Sequence, residues 1–194
     1  MKIRKLHHVA YRCVDARQTV EWYGKYLNMD FVLAIAEDQV PSTGAPDPYM
    51  HIFLDAGGGN VLAFFELPNS PPMDRDRNTP PWTQHLAMEV GTMEEMLETK
   101  RRLEADGIEV IGPTDHTIFQ SIYFHDPSGH RLELAVNTGT PEMMRKLDEV
   151  KWDMIDEWAR TRRAPKHAAW MHDGSHGQPQ RAAAAEAASQ GEPQ

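Results

Sequence analysis

The sequence predicts an α+β domain of two βαβββ modules, on three observations. The order strand, helix, strand, strand, strand runs twice between about residues 3 and 137. His8-Val9-Ala10 recurs as His85-Leu86-Ala87, and Gly59-Asn60-Val61-Leu62 recurs as Gly129-His130-Arg131-Leu132. Between the halves, Asn69 to Trp82 is rich in Pro, Asp and Asn and reads as a connecting loop.

Alternating apolar residues predict a first strand over Ile3 to Val14. A helix follows from about Ala16 to Leu27, carrying Val20, Trp22, Tyr23 and Tyr26. Strands are expected at Asp30 to Ala36, Tyr49 to Ala56 and Val61 to Leu67, the last two joined by the turn Gly57-Gly58-Gly59-Asn60. The second half restarts with a strand over Thr83 to Val90. A helix from Met93 to Ala105, closed by Gly107, comes next, with strands at Glu109 to Gly112, Ile118 to Phe124 and Arg131 to Val136. The domain thus covers residues 1–139, with modules of about 3–68 and 83–137. Over 140–163, Met144, Leu147, Val150, Trp152, Ile155 and Trp158 recur at helical spacing among charges, predicting an amphipathic helix docked on the domain or on a second copy in a homo-oligomer. Residues 164–194 are rich in Ala, Gln, Gly and His and read as a flexible low-complexity tail.

Composition narrows the function. Of 194 residues, 29 are acidic and 20 basic, a formal net charge of -9. A nucleic-acid backbone or an anionic membrane rewards clustered Lys and Arg, so a small molecule is the expected partner. No apolar run is long enough to span a bilayer, and MKIRKLHHVAYR lacks the apolar middle of a secretory signal, so a cytoplasmic location is expected. The single cysteine, Cys13, cannot form an internal disulfide and reads as a small buried hydrophobe.

Strand alternation sorts the polar candidates by face. Leu86, Met88 and Val90 share one face, with His85 on the other. Leu132, Leu134 and Val136 share one face, with Glu133 opposite; Ile122 and Phe124 oppose Tyr123. His8 shares its face with Leu6 and Ala10. From spacing alone, solvation of one side of an antiparallel sheet is the better explanation of such polar faces. His8, His85 and Glu133 lie far apart in the chain, and no local ligand motif unites them.

A resemblance favours the chemical reading. Thr114 and His116, five residues later Ile122 and Tyr123, then Asp126, Pro127 and Gly129, and after three more Glu133, resemble the type I extradiol dioxygenase signature at every specified position. The doubled βαβββ order and the opening HHVAYRCVDARQTVEWYGKYL resemble the wider vicinal oxygen chelate superfamily of glyoxalases, bleomycin-resistance proteins and dioxygenases. The resemblance implies a cup-shaped, partly closed mixed sheet around one metal, held by His8, His85 and Glu133. Such a face of two imidazoles and a carboxylate suits Fe(II), with Mn(II) also accepted. It carries His116 and Tyr123 over as catalytic groups beside the metal, and implies an aromatic diol and O₂ as substrates. Larger extradiol enzymes have a histidine where this chain has Asn60, which leaves acid–base work to His116.

Two rivals stand beside this expectation. A glyoxalase-like lyase or epimerase would add a carboxylate from the first module. The mate of Glu133 there is Ala63, and Glu66, three residues on, falls on the opposite face unless a bulge intervenes. A bleomycin-resistance-type protein would use the cup for binding alone. Among the other histidines, His130 in the turn is a weaker pocket candidate. His51 and His125 read as packing or surface residues, and His167, His172 and His176 as solvated. Of the aromatic residues Phe53, Phe64, Phe65, Trp82 and Phe119, most are expected in the core.

Overall fold

A computed structural model of the chain describes residues 5–74 and 76–171. The strands form two four-stranded mixed sheets with no closed barrel, and three α-helices are present among the described residues. In the first module, β1 (Val9–Cys13), α1 (Ala16–Leu27), β2 (Asp30–Gln39), β3 (Pro46–Asp55) and β4 (Val61–Glu66) give a sheet of order β1-β4-β3-β2. In the second, β5 (Leu86–Glu89), α2 (Met93–Ala105), β6 (Ile111–Asp115), β7 (Phe119–His125) and β8 (Arg131–Asn137) give β5-β8-β7-β6. The two sheets repeat one topology: β1 pairs parallel with β4, and β5 parallel with β8.

Both helices of this repeat begin and end where their caps dictate. The Asp15 carboxylate accepts from Gln18 N at 2.7 Å, and Asn28 ends α1 in the left-handed region at φ 52°. Thr92 and Glu95 form a reciprocal capping box on α2. The buried positions Ala16, Thr19, Tyr23 and Tyr26 recur at three- and four-residue steps, so α1 lays one face on the sheets. One core cluster spans both modules, with Tyr23, Leu54, Leu62, Phe64, Met96, Leu103, Ile122, Phe124 and Leu132 almost fully buried.

The Asp-Pro-Ser-Gly turn between β7 and β8 ties the modules together. Asp126 Oδ1 accepts from the backbone of Ser128 (2.9 Å) and His130 (2.8 Å), while Oδ2 accepts from the Tyr23 hydroxyl of α1 at 3.0 Å. Burial, and then the charge of Asp126, push the Tyr23 phenol far up, so it remains a donor. Two of the signature's specified positions, Asp126 and Gly129 (φ 85°), therefore shape a turn.

Strand ends differ from expectation for local reasons. β6 starts at Ile111 instead of Glu109, because Ile108 N still bonds Leu103 O and extends the helix cap. It continues through Pro113, which an edge strand tolerates. β1 and β5 are shorter than predicted, beginning at Val9 and Leu86 where pairing with β4 and β8 begins. His8 and His85 consequently both sit one residue before the first paired position.

Of the described residues, those from 5 to 114 together with Ser121–Val136 form one compact unit; Asp115–Gln120 and residues 137–171 form another. In the second unit Thr138 N and Gly139 N both donate to Ile118 O, and α3 (Pro141–Thr161) starts at a Thr140 cap with Pro141 in its first turn. Met143 is buried, whereas Trp152, Ile155 and Trp158 are exposed. Of the expected flexible tail, residues 164–171 are described and end in a 3-10 turn, Ala169–Met171, beside buried Ala168. Residues 172–194, including His172 and His176, lie outside the described residues. No helix among the described residues is long and apolar enough to cross a membrane.

Cys13 is buried, and that burial, with the charges of Glu66 and Asp126, pushes its thiol up to about 11 from an ordinary value near 9. Its raised value means the thiol's contribution to stability is fully present below pH 9 and lost as pH rises toward 11. Native protein at pH 8 is expected to resist alkylation by iodoacetamide, and protein in urea to react fully, as counted by intact mass.

Candidate active site

Glu133 is the centre of the site. It lies on β8, paired with Ala87 of β5, and is only 3 % exposed. A lone buried carboxylate is costly, and every neighbour here offsets that cost. Ser121 Oγ and, at 3.2 Å, Tyr123 Oη both donate to Oε1, while His85 Nε2 stands 2.8 Å from Oε2. Ser121 and Tyr123 are two apart on β7, so strand alternation puts both on the face of Glu133. Burial and the charge of Glu133 push the Tyr123 phenol up, keeping it protonated and donating. The Arg131 guanidinium lies 4.4 Å from the centre of the Tyr123 ring, and the His85 ring 5.9 Å from it, edge-on.

The second nitrogen of His85 determines what the first can do. Nδ1 lies 3.1 Å from the Thr83 carbonyl, which can only accept, so Nδ1 carries the proton. Nε2 then presents a lone pair to a carboxylate oxygen, an arrangement that needs a cation between them: a second proton or a metal. The observed 2.8 Å is that of a His–carboxylate pair whose two facing atoms are both possible metal donors. The backbone carbonyl behind His85 is also the usual means of orienting a metal-binding imidazole.

The first module carries His8. Its Nδ1 is 2.8 Å from Nδ1 of His7, and its ring is 5.8 Å from Phe53 and 6.2 Å from His51. Among the described residues, no three His, Cys, Asp or Glu side chains converge as a metal-holding group. The structure brings His85, Glu133 and Tyr123 together and leaves His8 in a cluster with His7, His51 and Phe53. His116 lies at the turn between β6 and β7, stacked on Phe119 at 4.6 Å, with Thr117 beside it at φ 74°.

Register identifies the module-one mate of Glu133. Ala10 pairs with Ala63 as Ala87 pairs with Glu133, so Ala63 is that mate. Glu66 is engaged elsewhere: its Oε2 accepts from Ala16 N at 2.7 Å, at the start of α1. His130, the candidate from the turn, bonds the Arg12 carbonyl through Nε2 at 2.6 Å and packs on Tyr11. Phe64 is core, but Phe53 and Phe65 alternate onto the opposite face of the first sheet with His51, and Trp82 is exposed.

Sequence reasoning puts Arg131 on the face of Glu133 without a role and misses Ser121. The signal was available, since each is two residues from a signature residue on the same strand, Ser121 from Tyr123 and Arg131 from Glu133. Ser121→Ala is expected to weaken metal retention about ten-fold while the fold persists, because Glu133 keeps only one donor on Oε1. Metal competition with a chromophoric chelator, beside a melting curve, measures both.

The family model described as the Glyoxalase/Bleomycin resistance protein/Dioxygenase superfamily matches residues 5–134. A Bacillus subtilis (strain 168) protein named "Putative ring-cleaving dioxygenase MhqA" is 25% identical over 140 residues, 71% of this chain and 42% of that protein. The chain thus spans less than half the length of this relative. Three solved structures share the fold. A mutant of the fosfomycin resistance protein FosX from Listeria monocytogenes, complexed with Mn(II) and 1S,2S-dihydroxypropylphosphonic acid, is 21% identical (TM-score 0.53, 75% of this chain, 100% of that one). A glyoxylase/bleomycin resistance protein/dioxygenase domain from Frankia sp. EAN1pec is 18% identical (TM-score 0.55, 70% and 99%), and a glyoxalase family protein from Bacillus cereus 13% (TM-score 0.58, 72% and 97%).

Proposed function

Because the chain belongs to the glyoxalase/bleomycin resistance protein/dioxygenase superfamily, we propose that it is an Fe(II)-dependent extradiol dioxygenase that cleaves a catecholic ring beside one hydroxyl, both atoms of O₂ entering the product. The observation that carries this reading is the buried Glu133 carboxylate facing His85 Nε2 at 2.8 Å, with the Tyr123 hydroxyl on its other oxygen. His85 and Glu133 would hold the metal, with His8 as the third ligand from the first module. Bound there, Fe(II) supplies a Lewis acid for the diol oxygens and the redox chemistry toward O₂.

The protein's own groups do the rest. Tyr123, kept protonated by burial and by Glu133, offers a hydrogen bond to a substrate oxygen. His116 is the proposed proton donor to the reacting oxygen. Phe53 and Phe65, outside the helix-covered core, offer flat apolar surface to an aromatic ring. A relative named as a putative ring-cleaving dioxygenase supports the reaction class, and the bond from Ala16 N to Glu66 Oε2 favours three metal ligands over the four of a lyase.

The test is anaerobic Fe(II) loading followed by air and a panel of catechols, with O₂ uptake and the yellow ring-fission product recorded together. Matched uptake and colour, both lost in His85→Ala, are expected. Tight metal binding with no catechol consumed would overturn the dioxygenase reading.

A further inference from the structure

The first module repeats the geometry around Glu133 with the carboxylate removed, and one buried imidazole nitrogen there lacks a hydrogen-bond partner among the described residues. The turn bonds Ala56 N to Asn60 O and Asp126 N to His130 O, each 3.0 Å, set the two modules in the same register. Counting back along the strands makes Phe53 the mate of Tyr123 and His51 the mate of Ser121. Phe53 pairs with Ala63, the mate of Glu133, and His51 with Phe65. Where the second module holds two hydroxyls on a carboxylate, the first holds an imidazole and a phenyl ring beside a methyl group.

His51 is packed as an aromatic ring. It stacks on Phe65 at 3.6 Å with planes 17° apart, and lies 4.1 Å from Phe53. It is 9 % exposed, and its Nε2 has no hydrogen-bond partner among the described residues. Packing alone does not need that nitrogen: a phenylalanine would fill the stack without leaving a polar atom unsatisfied. The unused nitrogen stands on the sheet face that also carries His8 and Phe53, away from the core that covers Leu54 and Phe64.

We propose that His51 is a substrate-contacting residue, whose Nε2 hydrogen-bonds an oxygen of the aromatic diol while Phe53 and Phe65 face its ring. This rests on the dioxygenase reading above. It adds a polar contact from the first module, where Asn60 stands in place of the histidine of larger extradiol enzymes.

The experiment compares wild type, His51→Phe and His51→Gln, each loaded with Fe(II) without air and titrated with 4-nitrocatechol by absorbance. Metal content, melting temperature, KM and kcat are measured beside the titration. His51→Phe is expected to keep wild-type metal content and melting temperature, to bind 4-nitrocatechol about ten-fold more weakly, and to raise KM similarly with a smaller change in kcat. His51→Gln, which retains a polar group at that edge, is expected to recover most of the affinity. Should His51→Phe not fold, His51→Leu is read in the same way. Unchanged 4-nitrocatechol binding in the apolar variant overturns the proposal. So does loss of metal in step with loss of binding, which would assign His51 to the metal instead. A wild type that binds metal but no catechol overturns the dioxygenase reading itself, before any variant is compared.

Discussion

Glu133→Gln is expected to lose its metal on dialysis and its O₂ uptake with it. Metal affinity should fall by more than about 100-fold, since removing a ligand exceeds the 10- to 100-fold cost of removing a ligand's support. Glutamine keeps the shape and removes the charge. One oxygen of Glu133 receives both hydroxyls and the other faces Nε2 of His85. An amide presents only one acceptor, so its NH₂ must point either at Ser121 and Tyr123 or at the imidazole. The second orientation satisfies His85 Nε2 as an acceptor and takes the place of the cation. The fold should survive, because the amide still bonds on both sides. Metal analysis after dialysis and an oxygen electrode report the two losses, and a melting curve reports the fold. Metal retained at wild-type stoichiometry would show that the His85–Glu133 pair is not a metal site. His8→Ala, measured in parallel, tests whether the first module supplies the third ligand.

Gly112→Ala carries the largest expected cost to stability. Gly112 has φ 103°, a conformation that side-chain-bearing residues rarely adopt. A Cβ there would stand 2.5 Å from the Ser121 carbonyl oxygen and 3.0 Å from Thr114 N, both backbone atoms that cannot swing aside. Strain and overlap together are expected to cost about 3 kcal/mol or more, measured as a lower urea midpoint. The position matters to the site as well. β7, whose Ser121 carbonyl the new Cβ would meet, carries Ser121 and Tyr123, the two donors to Glu133. Weakened metal retention should accompany the lost stability. A substitution that lowered the urea midpoint but left metal affinity untouched would show that β7 absorbs the displacement elsewhere.

The doubled βαβββ order, both helices of the repeat to the residue, and the sorting of Leu132, Leu134, Ile122 and Phe124 from Glu133 and Tyr123 were legible in the sequence. Each depends on interactions among near neighbours: caps at Asp15 and Thr92, a step of two along strands, a step of three or four along α1. The pairing of Ala63 with the place of Glu133 was likewise readable, because parallel strands in a repeat share one register. Tertiary structure decided what each polar group touches. Spacing could place Glu66 on a face but could not show it bonded to the start of α1, fifty residues earlier. Nor could it show His130 on the Arg12 carbonyl, 118 residues away, or Asp126 holding Tyr23. Strand context marks His51 as a packing or surface residue; its stack on Phe65, its contact with Phe53 and an Nε2 with no hydrogen-bond partner among the described residues belong to the tertiary structure. The physical reason is range. Periodicity and caps act over a few residues and are written locally, whereas a buried polar atom is satisfied by whatever the folded chain brings within about 3 Å of it.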